Sequence, residues 1–256
     1  MAVELLDGFR EDAGHREVAS RGCGRVGFRV TVSPDRPVAG NLAIDEEMTR
    51  SAAERGLITL RLWWGGAPTV VLGSSEKIEQ TVDVEACRRL GVDVVRRSTG
   101  GGTVLQTPGV LNYSLTGPAP GLPNMKTLFA LGARILIGAL AAFGLEGAAR
   151  GISDVCVGDR KISGNAMAKR WGGLLLHGTL LLEMDLDLVE ACLRHPPREP
   201  DYRGRRTHRD FLTSLRSLGV TAERSEVEAA VIASGVRLFE EGAMEGFPFI
   251  PEWVKG

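Results

Sequence analysis

The sequence predicts an α+β domain with a mixed, largely antiparallel sheet packed with helices. Three observations predict it. Short β-branched and aliphatic runs outnumber the helical patterns, many of those runs are joined by tight-turn residues so that clean βαβ units are scarce, and the few helical patterns are apolar or amphipathic enough to cover a sheet. The chain has 256 residues, enough for one main domain with a large core. Apolar residues make up 43% and charged residues 25%, ordinary globular values that exclude wholesale disorder.

Residues 1–25 are polar, glycine-containing and weakly periodic, and read as an N-terminal arm before a domain spanning 26–256. FRVTV is a strand, followed by the turn-rich SPDRPVAGN. Asn41 then serves as N-cap of NLAIDEEMTRSAAERG, with acids in the first turns, Ile44, Met48 and Ala52 as an apolar stripe and Gly56 as the stop. LITLRLWW and PTVVLG are strands, and Asp83 opens a short helix whose inward side carries Val84, Cys87 and Leu90. DVVRR is a strand, and TVLQ and LNYSL read as strands paired around a Pro-Gly turn. A long helix covers 125–144, with Leu128, Leu131, Ile135, Ala139 and Phe143 near helical spacing. Arg134 and glycines interrupt its apolar run, which reads as a buried helix rather than a membrane span. ISDVCVGDRKISG, turning at GDRK, and GGLLLHGTLLLEMD are strands. Helical patterns follow near 186–194, 208–217 and 224–240, the last with Val227, Val231, Gly235 and Leu238 on its apolar side, before a short C-terminal end.

The 31 basic and 32 acidic side chains nearly cancel, so neither nucleic acid nor a membrane surface is an expected partner. Cys23, Cys87, Cys156 and Cys192 form no CxxC pair, which argues against zinc or a disulfide framework and fits a reducing cytosol. The N-terminus lacks an apolar core of signal-peptide length, so a cytoplasmic location is expected.

Two stretches carry chemistry. In RRSTGGGTV, Gly100, Gly101 and Gly102 follow a strand and sit beside Arg96 and Arg97. Glycine lets a ligand rest against the main chain, successive N–H groups can hold an anion, and guanidinium forks match carboxylate and phosphate oxygens. A glycine-rich hairpin with a solvated arginine pair reads the same stretch equally well. In the second stretch, Lys161 follows the GDRK turn and Gly164 clears the backbone beyond it, while His177, Gly178 and Thr179 lie inside an apolar strand where polar groups need partners or a ligand. Taken singly, the lysine reads as solvated and the histidine as a satisfied core residue.

RRSTGGGTV, then RKISGNA, then LHGTLLLEMDL, with NLAIDEEM upstream and ISDVCVGDRK before the lysine, together resemble the lipoate–protein ligase A family of the biotin/lipoate ligase superfamily. The resemblance spans roughly 26–216 and implies a class II synthetase-like catalytic domain without the family's C-terminal accessory domain, closest to split ligases that work with a small separate subunit. It implies that lipoate or octanoate is activated by ATP and Mg²⁺ to an acyl-adenylate, then transferred to a lysine of an apo lipoyl domain or an H-type lipoyl carrier protein.

Carried over residue by residue, Lys161 is catalytic and orients the carboxylate against the α-phosphate, Arg96 and Arg97 lie near the phosphate, and Gly100 to Gly102 leave room for the acyl phosphate. Asp154 helps hold Mg²⁺ or the nucleotide, His177, Gly178 and Thr179 line the same cavity, and Ser98, Thr99, Thr103, Gln106, Ser163 and Gly164 complete the adenylate-binding set. Such chemistry brings anions together, so positive charge, N–H donors and alignment are its main needs.

The pattern has departures. Gln106 stands where histidine is usual, Ser75 where glutamine is common, and Ile152-Ser153-Asp154 where Asn-Asp is usual. Biotin ligases place GRGRxGRxW in the glycine loop, which is lacking, so lipoate or octanoate is preferred. The arginine-rich PPREPDYRGRRTHRDFLTSL lies where relatives carry a mobile loop that closes over the adenylate. Its arginines Arg198, Arg203, Arg205, Arg206 and Arg209 read either as a greeting for acidic acceptor domains or as a solvated basic loop. Two rival readings are an octanoyl or lipoyl acyltransferase using an acyl carrier donor and a cysteine thioester, and a non-catalytic lipoyl-binding homologue.

Overall fold

The structure, a computed structural model, describes residues 9–12, 15–20, 27–119 and 125–241. In chain order its elements are β1 (Phe9–Asp12), β2 (His15–Ser20), β3 (Gly27–Val32), α1 (Val38–Arg55), β4 (Leu57–Trp64), β5 (Thr69–Leu72), α2 (Ile78–Thr81), α3 (Val84–Arg89), β6 (Asp93–Arg96), β7 (Val104–Gln106) and β8 (Val110–Pro118). They continue with α4 (Met125–Ala141), β9 (Gly147–Arg150), β10 (Asp154–Val157), β11 (Arg160–Arg170), β12 (Gly173–Leu181), α5 (Leu186–Cys192), α6 (His208–Phe211) and α7 (Arg224–Glu240). Strands β1 and β2 fall in the segment read as an N-terminal arm, and the chain's last residues, 242–256, lie outside the described set.

A nine-stranded sheet runs β1-β2-β3-β4-β8-β12-β11-β10-β9, and a three-stranded one runs β6-β5-β7. In the large sheet only β3 and β4 pair in parallel; in the small one β5 is parallel to β6 and antiparallel to β7. The expected mixed, largely antiparallel α+β sheet is therefore present. TVLQ and LNYSL, however, are not a paired hairpin: β7 joins the small sheet and β8 the centre of the large one. The Pro-Gly turn is a hinge between sheets, closed by Val110 N–H donating to the Thr107 carbonyl at 3.0 Å.

Alternation along the strands separates the two faces of the large sheet. Ile58, Leu60, Leu62 and Trp64 of β4 and Leu111, Tyr113 and Leu115 of β8 join α4 (Leu128, Ile135, Leu136, Ala139) and α7 (Val227, Val231, Leu238) in one apolar core. The opposite face carries Thr59, Arg61 and Trp63, with Asn112, Ser114 and Thr116, all buried. Helix α1 covers that side, and this corrects its sequence reading. It begins at Val38 with Pro37 as N-cap, so no acid lies in its first turn, and Asn41 is buried inside the helix instead of capping it. Ile44 and Met48 are only half-buried, while Asn41, Asp45 and Thr49 face inward. Arg61 donates to Asp45 Oδ1 at 2.7 Å, to Asn41 Oδ1 at 2.5 Å and to Ser33 Oγ at 2.8 Å, and Ser114 and Trp63 donate to the same carboxylate. With every partner present the pair is tolerated in the interior; removing one side would leave a buried charge, at a cost of about 3–5 kcal/mol.

Gly56, in left-handed geometry, ends α1 as expected. In α3 only Ala86 and Cys87 are buried, whereas Val84 and Leu90 are 46% and 47% exposed, because the helix lasts less than two turns and Leu90 is already its C-cap.

Candidate active site

A cavity of about 440 Å³ opens where the two sheets meet, bounded by Val71, Leu105 and Gln106 of the small sheet, Asn112, Ala166 and His177 of the large one, and residues 196–212. Much of its wall is apolar, including Leu42, Trp63, Leu181, Met184 and Val189, and into it also reach Arg97, Asp154, Lys161, Arg194 and Arg198.

The β10–β11 hairpin delivers the ion pair. Gly158 takes φ 61° at the turn, a geometry glycine adopts without cost. Cys156 lies opposite Lys161 but Val155 opposite Ser163, so Ile162 is an extra, fully buried residue and the strand carries a bulge. Lys161 Nζ stands 2.8 Å from Asp154 Oδ1, with side chains 23% and 10% exposed. A Cβ on Gly164 would lie 2.8 Å from Nζ, so this glycine makes room for the protein's own ammonium. Tyr202 donates to the other carboxylate oxygen at 2.7 Å, and the Cys156 thiol donates to the Tyr202 hydroxyl at 3.5 Å. Burial pushes both the thiol and the phenol up from their ordinary ranges.

The glycine loop is arranged differently. Arg97, 8% exposed, donates through Nη2 to the carbonyls of Gly100 at 2.7 Å and Gly102 at 2.8 Å, and through Nε to Thr99 Oγ1 at 2.9 Å. Burial lowers its pKa to about 10, so it is charged at neutral pH. Arg96 turns to the neighbouring loop and donates to the Gly73 and Glu76 carbonyls at 2.8 and 2.7 Å. Gly101 takes φ 86°, and a Cβ there would meet Arg97 at 3.0 Å; one on Gly73 would lie 1.9 Å from the Gly101 carbonyl. Around Gly100 and Gly102 a Cβ would meet nothing within 4 Å.

Thr99 Oγ1 accepts from Arg97 and shares a hydrogen bond with His177 Nε2, 2.6 Å away. Burial and the nearby Arg97 charge push the His177 pKa down to about 3, so the ring is neutral. Gln106 and Asn112 bind each other reciprocally at 2.8 and 3.0 Å, a fixed amide pair that offers no charge. Gly178 is needed for packing: a Cβ would stand 2.2 Å from Asn165 Oδ1, which itself accepts from the Tyr113 hydroxyl.

Of the residues selected from sequence, Arg97, Gly101, Gly102, Thr103, Gln106, Asp154, Lys161, Ser163, Gly164, His177, Gly178 and Thr179 line one cavity. Arg96, Ser98, Thr99 and Gly100 do not line it. Sequence reasoning passed over Asn165, although it lies inside the RKISGNA stretch, and Tyr202, for which no local pattern gives a signal. Three arginines of the arginine-rich segment are engaged by the protein itself: Arg203 is buried, Arg206 pairs with Asp159 at 3.0 Å and Arg209 pairs with Asp187.

Both Asp154 oxygens are engaged, and among the described residues no three His, Cys, Asp or Glu side chains gather as ligands. Magnesium would fit here as the companion of nucleotide phosphates, which bring most of its ligands themselves.

Residues 37–234 match the family model of the lipoyl protein ligase A/B catalytic domain. An Aeropyrum pernix protein provisionally named lipoate-protein ligase A is 35% identical over 78% of this chain and 72% of its own length. Lipoate–protein ligase 1 of Staphylococcus aureus is 30% identical over 69% of this chain, which spans about half (52%) of that relative. The octanoyltransferase LipM of Carboxydothermus hydrogenoformans is 34% identical over 61% of this chain and 65% of its own length. Among solved structures, a bi-partite lipoate protein ligase of Thermoplasma acidophilum, described with its E2 lipoyl domain, superposes with TM-score 0.72 at 26% identity, covering 85% of this chain and 84% of the other. A lipoate-protein ligase A bound with ATP superposes with TM-score 0.71 at 25% identity, covering 85% of each. The family model and the relatives agree, and the chain belongs to the lipoyl protein ligase A/B catalytic-domain family.

Proposed function

We propose that this protein is an ATP-dependent lipoate–protein ligase. The observation that carries the reading is a lysine ammonium held by a carboxylate on the wall of a partly apolar cavity, Lys161 with Asp154, while no described cysteine lines that wall. The apolar residues suit the acyl chain of lipoate or octanoate, and the charged ones suit its carboxylate and the nucleotide.

In this reading the substrate carboxylate attacks the α-phosphorus of Mg·ATP, an acyl–phosphate bond forms, and pyrophosphate leaves. Lys161 keeps one of its three N–H donors on Asp154 and turns the others to the carboxylate and α-phosphate oxygens, offsetting the charge that accumulates as anion meets anion. Asp154 is held by Tyr202, so the ammonium works from a fixed post. Neutral His177 contributes polarity without a second charge, and the glycine loop leaves the space beside Gly100 and Gly102 open. The ε-amine of an acceptor lysine, on an apo lipoyl domain or an H-type carrier, then attacks the acyl carbonyl, AMP leaves, and the proton passes to solvent. The ATP-bound and lipoyl-domain-associated relatives support both half-reactions. A small accessory subunit belongs to the same proposal, by analogy with the bi-partite ligase.

One relative favours a second reading, acyl transfer from a carrier through a cysteine thioester. Against it stand the positions of the described cysteines. Cys87 and Cys192 are packed in the core beside the small sheet, and Cys156 is fully buried with its thiol pushed up, the opposite of an activated nucleophile.

Intact-mass detection of acyl transfer to a purified apo lipoyl domain tests the choice. One arm supplies lipoate and Mg·ATP, with and without an accessory subunit, and the other supplies octanoyl carrier protein without ATP. Lipoyl addition in the first arm is expected; addition only in the second would replace the ligase by a transferase.

A further inference from the structure

The segment from His195 to Phe211 carries five arginines, and the structure gives them different work. Arg203 is 5% exposed, reaches Glu199 at 3.4 Å and stacks over Phe211 at 4.8 Å. Arg206 donates to Asp159 and to the Tyr202 and Arg203 carbonyls, and Arg209 pairs with Asp187. Arg205 is exposed and outside the cavity wall. Arg198 alone among the five is exposed, lines the cavity and makes no hydrogen bond or ion pair to any described residue.

Its neighbours keep it that way. Glu199, the adjacent carboxylate, is turned inward: Oε2 meets His195 Nε2 at 2.9 Å and Oε1 accepts from the Arg205 N–H at 2.9 Å. Pro196 and Pro197 precede Arg198 and Pro200 follows Glu199, and Pro196 and Pro200 line the cavity too. Proline fixes its own φ and restricts the residue before it, so the backbone that presents this guanidinium is stiff. The other cations of the wall are constrained: Arg97 is buried on the glycine loop, Arg194 donates to the Val82 carbonyl at 3.1 Å, and Lys161 is on Asp154. An uncommitted guanidinium on a stiff support at a cavity that also holds a lysine matches phosphate oxygens in charge and geometry.

We infer that Arg198 is a binding residue for the terminal phosphates of the nucleotide, the pair that departs as pyrophosphate when the acyl-adenylate forms. The inference rests on the ligase reading, and goes beyond it by dividing the work: Lys161 serves the α-phosphate and the carboxylate, Arg198 the leaving group.

Isothermal titration of the full chain with Mg·ATP and with AMP tests it, for wild type, Arg198→Ala, Arg198→Lys and Arg205→Ala as control. A charged hydrogen bond supplied only to the terminal phosphates predicts a roughly ten- to hundredfold loss of ATP affinity in Arg198→Ala with AMP affinity unchanged. Arg198→Lys should lie between, and Arg205→Ala should match wild type. An exposed side chain without partners should leave the melting temperature where it was. Arg198→Ala binding ATP as wild type does, or losing ATP and AMP equally, would overturn the assignment alone. Wild type binding neither nucleotide, with or without the accessory subunit, would remove the ligase reading and this inference with it.

Discussion

The glycine loop and the β10–β11 hairpin look alike as sequence, a cation beside glycine in each, and they use the cation in opposite ways. In the loop, Arg97 is folded inward and fastened to the carbonyls of the residues that follow it. In the hairpin, Lys161 is held by a single carboxylate and projects onto the cavity wall. In both, a glycine clears space for the chain's own cation, Gly101 for Arg97 and Gly164 for Lys161. A glycine next to a charge can thus report an internal contact as readily as a ligand. What separates architecture from chemistry is how many of the cation's donors the protein itself occupies.

The comparison breaks most visibly at the projecting lysine. Lys161→Ala should lower acyl-adenylate formation by about 10²–10³-fold, the range for removing one preorganised donor from a developing charge, while shifting the melting temperature by only a few degrees; near-normal turnover would end its role. Arg97→Met is expected to act the other way round. It leaves the Gly100 and Gly102 carbonyls without their donor and should cost about 2–4 kcal/mol in chemical denaturation, a loss that unchanged stability would contradict.

Acid sharpens the contrast through His177. Its folded pKa of about 3 lies below the ordinary 6.5, so between these values the unfolded chain binds the extra proton. Stability should therefore fall as the pH drops from about 6.5 towards 3. Denaturation midpoints measured across that range should decline less steeply in His177→Gln than in wild type, and parallel profiles would show that the ring is not held neutral. The smallest effect is expected at Cys156. Cys156→Ser should retain ligase turnover within a few-fold, whereas complete loss together with an acyl adduct on the wild-type thiol would restore the transferase.

Much of this arrangement was legible in advance, for reasons that particular residues make plain. Apolar runs bounded by turn residues marked β4, β8 and β12, and the GDRK turn announced itself through Gly158. Ordered motifs selected twelve residues that converge on one cavity. The misses are tertiary. Asn41 has the chemistry of a cap, yet Pro37 starts the helix earlier and Arg61, far along the chain, claims the asparagine side chain. β7 and β8 are neighbours in sequence, but hydrogen-bond partners in separate sheets decide their places. Tyr202 reaches Asp154 across 48 residues from a segment whose composition suggested only basic surface, a link no local spacing can encode.

The central claim is that the cavity carrying Lys161 is an acyl-adenylate site, and equilibrium binding of a stable mimic tests it without any partner protein. Octanoyl-sulfamoyl adenosine, titrated calorimetrically into wild type and Lys161→Ala, should bind the wild-type chain and lose about tenfold or more in affinity in the variant, as expected for a charged donor withdrawn from the linkage between acyl group and nucleotide. Absence of wild-type binding, or equal affinity in both proteins, would contradict the account.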